Sequence, residues 1–204
     1  MKIGILGATK LTTTLGRKFL SSDSQVIYGV KENFESNDIE WKILNRFPGQ
    51  VYSFSDAIKR TEIILICCEN DQLPEICNSF LDIDISDKII IDCTNGRFDS
   101  NFSCNSFLIQ EFLGHKNIYK AFNNLGLDYP NSDVLGLIKE TYFCGEEGPE
   151  KQKVKKLIEK SGFKAIDAGS SQSAFLLEAF FHLGKEIAFN KKEKTEYHFK
   201  LITV

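Results

Sequence analysis

The run Glu62–Cys68 constrains the fold more than any other part of the chain, because Ile63-Ile64-Leu65-Ile66-Cys67-Cys68 carries no polar alternation. A strand that is apolar on both faces needs cover on both faces. That is the situation of an inner strand in a parallel sheet flanked by helices. Ile89-Ile90-Ile91, within Lys88–Asp92, repeats the pattern. Around these two runs, short β-branched stretches alternate with longer amphipathic ones. The spacing predicts strand Lys2–Leu6, helix Thr12–Ser21, strand Gln25–Val30 and helix Asp38–Phe47, the last with Ile39, Ile43, Leu44 and Phe47 on its apolar face. Strand Gln50–Ser53 and a brief helix Asp56–Arg60 precede the first covered strand. Helix Leu73–Phe80, the second covered strand, helix Asn105–Leu113 and strand Asn117–Ala121 follow.

The C-terminal third continues the alternation. Thr141–Cys144 reads as a strand. Gly148-Pro149-Glu150 opens a helix, with proline at its first position and acid in its first turn, and that helix stops near Gly162. Strand Phe163–Asp167 and a long helix Ser173–Phe189 follow, and Tyr197–Val204 alternates weakly enough to be a candidate edge strand. Repeated β-α-β units with covered strands predict an α/β fold: a doubly wound, Rossmann-type, mainly parallel sheet. One dinucleotide-binding domain is expected over residues 1–190, ending in a C-terminal helix, with 191–204 as a tail. Right-handed crossovers place the site of such a sheet at the carboxyl ends of its strands.

At 204 residues the chain fits one core and leaves no room for a separate substrate domain. A substrate must therefore lie against that core or between two subunits. A net charge of −3 gives no general electrostatic footprint for nucleic acid or an anionic membrane. The six cysteines contain no C-x-x-C pair and the three histidines are far apart, so neither a metal site nor a disulfide scaffold is expected. Several of the cysteines lie in apolar runs, which suits a reducing, cytoplasmic compartment. No stretch approaches the ~18 apolar residues of a membrane helix, and the run at Met1–Gly7 is too short for a signal peptide.

The first strand ends in Gly7-Ala8-Thr9-Lys10-Leu11-Thr12-Thr13 and a helix follows. Dinucleotide-binding folds keep a glycine-rich turn here, for a tight reversal, for close approach to pyrophosphate and for helix–strand packing. Only Gly7 clearly remains, so the turn alone reads equally as an ordinary strand-to-helix junction. Further along stand Ile27-Tyr28-Gly29-Val30-Lys31, Ile90-Ile91-Asp92-Cys93-Thr94-Asn95 and Lys120-Ala121-Phe122-Asn123-Asn124-Leu125-Gly126. Tyr142-Phe143-Cys144-Gly145 and Lys155–Gly169 complete the series. In order and spacing, over roughly 180 residues, these segments resemble the deazaflavin-dependent NADP oxidoreductase family, which includes the cytosolic domain of the six-transmembrane metalloreductases. Lys10 and Thr13 stand where that family's turn has its other two glycines.

The resemblance implies NADP bound at the carboxyl edge of the sheet, with hydride passed to a deazaflavin or flavin acceptor. Gly7, Ala8, Thr9, Lys10, Leu11 and Thr12 would face the pyrophosphate at a helix N-terminus, with Lys10 as an added cation. Against that, the side chains of Lys10 and Thr13 can obstruct the approach that glycine permits. Lys31 would stand at the ribose-selecting position; its charge favours NADP, and an ordinary solvated lysine fits equally. Cys67 and Cys68 would border the nicotinamide half, or be buried strand cysteines. Asn95, Ala121 and Asn123 would border the nicotinamide and acceptor pocket. No catalytic acid or base is expected, because hydride passes directly between stacked rings. On the long helix, Glu178, His182, Lys185 and Glu186 form a polar stripe expected to be solvated. Its apolar remainder predicts a homodimer through residues 173–189. The altered turn keeps a second outcome open: a non-catalytic binding or sensing protein on the same fold.

Overall fold

The computed structural model describes residues 1–44, 46, 50–98, 103–191 and 197–202. Among these, eight strands form one sheet: β1 (Lys2–Leu6), β2 (Gln25–Val30), β3 (Val51–Ser53), β4 (Ile63–Ile66), β5 (Ile89–Asp92), β6 (Ile118–Ala121), β7 (Glu140–Cys144) and β8 (Lys164–Asp167). Their order is β3-β2-β1-β4-β5-β6-β7-β8. The chain moves outward from β1 in one direction, then returns to β1 and moves outward in the other. That reversal puts the topological switch point between β1 and β4. All neighbours are parallel except β6 and β7, which pair antiparallel with Lys120 opposite Cys144. The expected Rossmann-type, mainly parallel sheet is the observed one.

The covered strands behave as their composition requires. Every residue of β4 and β5 is buried. Alternate residues feed two separate cores, one through Ile63, Leu65 and Cys67 and the other through Ile64, Ile66 and Cys68. Among the described residues, seven α-helices complete the layers: α1 (Lys10–Leu20), α2 (Ile39–Leu44), α3 (Phe54–Arg60), α4 (Leu73–Asn78), α5 (Asn105–Leu113), α6 (Pro149–Lys160) and α7 (Ala174–Lys191). α1 begins two residues ahead of the sequence expectation because Thr9 caps it: the Thr12 N–H donates to Thr9 Oγ1, and the Thr9 N–H donates to Thr12 Oγ1.

Two expectations need correction here. On α2 the buried residue is Trp41, edge-on to Tyr28 and Phe34, whereas Ile39 and Ile43 are 72% and 49% exposed. One indole fills the space that the isoleucine spacing was expected to fill; Phe47 lies outside the described residues. The tail is not an edge strand over its described residues, 197–202. It folds back instead. The Phe199 ring stacks on Phe180 at 4.4 Å, the Phe199 carbonyl accepts from the Tyr142 hydroxyl, and the Tyr197 carbonyl crosses α7 at Gly184. A Cβ at Gly184 would lie 2.5 Å from that carbonyl oxygen.

Candidate functional site

The crevice expected at the switch point is present. About 330 Å³ of space lies among Ala8, Thr9, Lys10, Glu69, Gln72, Leu127 and Asp128, where the chain leaves the carboxyl ends of β1 and β4. Its floor is the turn after β1. Gly7 has φ +116°, and a Cβ there would stand 2.2 Å from the Cys67 carbonyl oxygen, so only glycine lets β1 pass this close to the end of β4. That same carbonyl accepts from the Thr9 and Thr12 hydroxyls at 3.2 and 3.3 Å. The turn is thereby tied to β4 before α1 starts.

The turn's amides divide into two groups. The N–H groups of Thr9 and Thr12 are taken by the cap, and that of Leu11 donates to the Leu127 carbonyl at 2.9 Å. The N–H groups of Ala8 and Lys10 have no protein partner among the described residues. Two free amides at the positive end of an 11-residue helix suit an anion. The surrounding side chains do not add to this. Glu69 and Asp128 line the crevice, and Lys10, expected to serve as a phosphate cation, is paired with Asp38. Leu11 and Thr12 are fully buried, so only the turn's backbone and the half-buried Ala8, Thr9 and Lys10 face the crevice. The residues present fit a dinucleotide's shape and its need for donors better than its charge.

Thr13 does not obstruct the turn as its Cβ suggested. It is buried against α2, and its hydroxyl donates to Glu40 at 2.5 Å. Lys31 stands directly after β2 and is exposed, the place expected of a ribose-selecting residue. Cys67 and Cys68 are both fully buried and turn to opposite faces of the sheet, so neither sulfur borders the crevice. Burial pushes the Cys68 thiol well above its ordinary range. What Cys67 contributes is its carbonyl.

Asn95 and Asn123 do come together. Asn95 Nδ2 donates to the Asn123 carbonyl at 3.0 Å, and Asn123 Nδ2 donates to Asn95 Oδ1 at 2.9 Å and to the Leu177 carbonyl. Asn123 Oδ1 is buried with no partner among the described residues, and Ala121 beside it is fully buried. This pair stands at the carboxyl ends of β5 and β6, beyond the switch point.

Beneath it lies a cluster that the sequence reading missed. Lys120, Asp92 and Glu178 are all fully buried. The Lys120 ammonium makes three bonds: to Asp92 Oδ2 at 2.7 Å, to the Thr94 carbonyl at 2.7 Å, and to Glu178 Oε1. Asp92 also accepts from the Thr94 amide and hydroxyl and from the Ser106 hydroxyl. Glu178 accepts from the Gly96 amide at 2.6 Å and the Asn105 amide at 3.0 Å. Burial alone would lower the Lys120 pKa, but the two carboxylates outweigh it and hold it above its ordinary value. The Glu178–His182 stripe is therefore not a solvated face. Glu178 anchors the loop after β5, and His182 Nε2 donates to the Gly96 carbonyl at 2.9 Å. Burial lowers the His182 pKa. Asp92 and Lys120 lie within recognisable motifs of the sequence; their meeting with Glu178 has no local signal, because Glu178 is 58 residues from Lys120 along the chain.

A second space of about 610 Å³ lies beyond the 123–125 turn. Tyr142, Phe180, Phe181, Phe199, Lys139 and Lys200 are among its walls. Residues 124–128 border both cavities, Asn124 on this side and Leu127 and Asp128 on the other.

With this geometry in place, the comparisons with known proteins are specific. Residues 2–96, from β1 to the loop after β5, match the family model of NADP oxidoreductases dependent on coenzyme F420, a deazaflavin. The family resemblance read from the motifs is borne out. The chain is 22% identical over 183 residues to metalloreductase STEAP3 of Rattus norvegicus, covering 87% of this chain and 36% of the metalloreductase. It thus spans about a third of that relative's length. Among solved structures it is similar to a proposed F420-dependent NADP-reductase from Arthrobacter sp. FB24, with TM-score 0.79 and 18% identity over 100% of both chains. A reductive aminase from Aspergillus terreus, solved with NADPH and ethyl levulinate, superposes with TM-score 0.64 and 14% identity over 93% of this chain and 62% of the aminase. At these identities the structural matches establish the fold. Among the described residues no helix is long and apolar enough to cross a membrane.

Proposed function

We propose that the chain binds NADP(H) in the crevice between the carboxyl ends of β1 and β4 and passes hydride to a small flavin-like acceptor. The observation that carries this reading is the capped turn. Gly7 and the Cys67 carbonyl hold it at the switch point, and it leaves the Ala8 and Lys10 amides free at the head of α1. Those amides and Thr9 would hold the pyrophosphate, Lys31 the ribose end, and Asn95 the nicotinamide end, with the fully buried Asn123 fixing Asn95 from beneath. When bound, the nicotinamide supplies the hydride. The protein's part is to orient it, and no acid–base residue is needed for that transfer. The 610 Å³ space beside Asn124, walled by aromatic rings and by lysines together with Asp133 and Glu140, suits a flat, polar acceptor. In this reading the protein works as a homodimer through α7 in a reducing, cytoplasmic compartment, with residues 1–190 as its working domain.

Titration of the purified protein with NADPH and NADH, followed by nicotinamide fluorescence, tests the reading. It predicts saturable NADPH binding that weakens in Lys31→Glu; no binding of either nucleotide at millimolar concentration would defeat it. A second reading is favoured by the carboxylates around the crevice, Glu69, Asp128 and Asp38: a relative that kept the fold and uses it to sense or bind without turnover. It predicts binding with no NADPH oxidation when a flavin is added.

A further inference from the structure

The two residues that replace glycines in the turn share one fate. Lys10 is paired with Asp38, and the Thr13 hydroxyl donates to Glu40 at 2.5 Å. Glu40 also pairs with Arg17 at 3.3 Å, one turn further along α1, and its own amide donates to Asp38 Oδ1 at 2.9 Å. Both carboxylates belong to the start of α2, which follows the loop carrying Lys31. One face of α1, from Lys10 in its first turn to Arg17 in its last, is therefore joined to the start of α2 by two acids on one side and two cations and a hydroxyl on the other.

We propose that Asp38 and Glu40 are specificity-determining residues for the dinucleotide crevice: an acidic latch in which Asp38 competes with incoming phosphate for Lys10, and Glu40, tied to Asp38, Thr13 and Arg17, holds the start of α2 and its negative charge in place. The inference rests on the reading of that crevice as a dinucleotide site. Lys10 lines the crevice, and its side chain is 40% exposed while Asp38 is 28% exposed, so the pair sits at the rim where a ligand can contest it. A polyanion entering here gains Lys10 only by displacing Asp38. With Glu69 and Asp128 already facing the space, the side chains near the turn carry a surplus of negative charge while the latch holds. The latch thus disfavours ligands in proportion to their phosphate charge, and NADP(H) carries more of it than NAD(H). The two departures from a glycine turn are then a matched set with α2, rather than decay of the turn.

The test measures Kd for NADPH and NADH by nicotinamide fluorescence in the full chain, in Asp38→Asn, in Glu40→Gln and in the double variant. Asp84→Asn, in the loop before β5 at the amino ends of the strands, serves as control. Exposed ion pairs set the scale: each single variant tightens NADPH about 2–5-fold and the double variant about 10-fold, with a smaller gain for NADH. Lys10→Met should weaken NADPH little in the parent chain and several-fold in the Asp38→Asn background, where the lysine is released. Binding that appears only in the double variant also supports the latch. Parent binding that is unchanged or weakened in these variants, or changed equally in Asp84→Asn, overturns the latch and leaves the dinucleotide reading standing. Absence of binding in every chain overturns both. Thermal melts of each variant check the fold, and these exposed pairs predict little change.

Discussion

At the residue scale the molecule depends on a buried charge cluster that is fully hydrogen-bonded. Lys120 uses all three of its donors, and Asp92 and Glu178 have every oxygen engaged. Such a cluster is not itself a source of stability, but removing one partner leaves charges buried without compensation. Lys120→Met therefore costs about 3–5 kcal/mol. In a domain of this size that lowers the melting temperature by roughly 10 °C. Calorimetry checks it; a Lys120→Met protein melting within about 2 °C of the parent would show that the cluster carries no such burden. The cluster also fixes the Thr94–Gly96 loop, so Asn95 should lose its position with it. Sequence reasoning located Asp92 and Lys120 as motif residues and Glu178 as a surface acid. Periodicity describes one helix at a time, and it cannot see that the polar stripe of α7 meets a lysine on β6.

At the element scale the strands were legible and the helix faces less so. Uninterrupted apolar runs admit one environment, and β1, β2 and α5 have the expected bounds. The face of α2 departs from the isoleucine spacing because a single tryptophan, Trp41, outweighs two isoleucines in filling space. The turn was read correctly as altered, but its consequence was not: Thr13 packs toward α2 and Lys10 is drawn to Asp38, contacts between elements that no local pattern contains. α7 keeps exposed apolar residues, Leu176, Leu183 and Phe189 at 64%, 50% and 78% exposure, and α5, which packs against α7, exposes Phe107 and Phe112. Isolated exposed apolar residues are ordinary; a run of them along adjoining helices marks a contact surface. The protein should sediment as a dimer at micromolar concentration, and Leu176→Glu with Leu183→Glu should shift it to monomer. A parent chain that sediments as a monomer would contradict the dimer.

At the scale of the whole molecule, one sheet supplies everything the proposed function requires. The reversal at β1 and β4 makes the crevice, the ends of β5 and β6 bring Asn95 to Asn123, and the antiparallel β7 carries Glu140 past the end of β6 to border the second cavity. The fold was legible because alternation and covered strands leave few topologies. The second cavity was not, because the returning tail and the 131–139 segment that wall it have no periodic signature. The central claim is that a dinucleotide lies along the carboxyl edge from the turn to the asparagine pair. Amide hydrogen exchange with and without NADPH tests it most directly. The account predicts added protection at Ala8 and Lys10 and across residues 94–96, with none at the amino edge of the sheet. Unchanged exchange at the turn under saturating NADPH, or protection confined to the tail and the 131–139 segment, would contradict it.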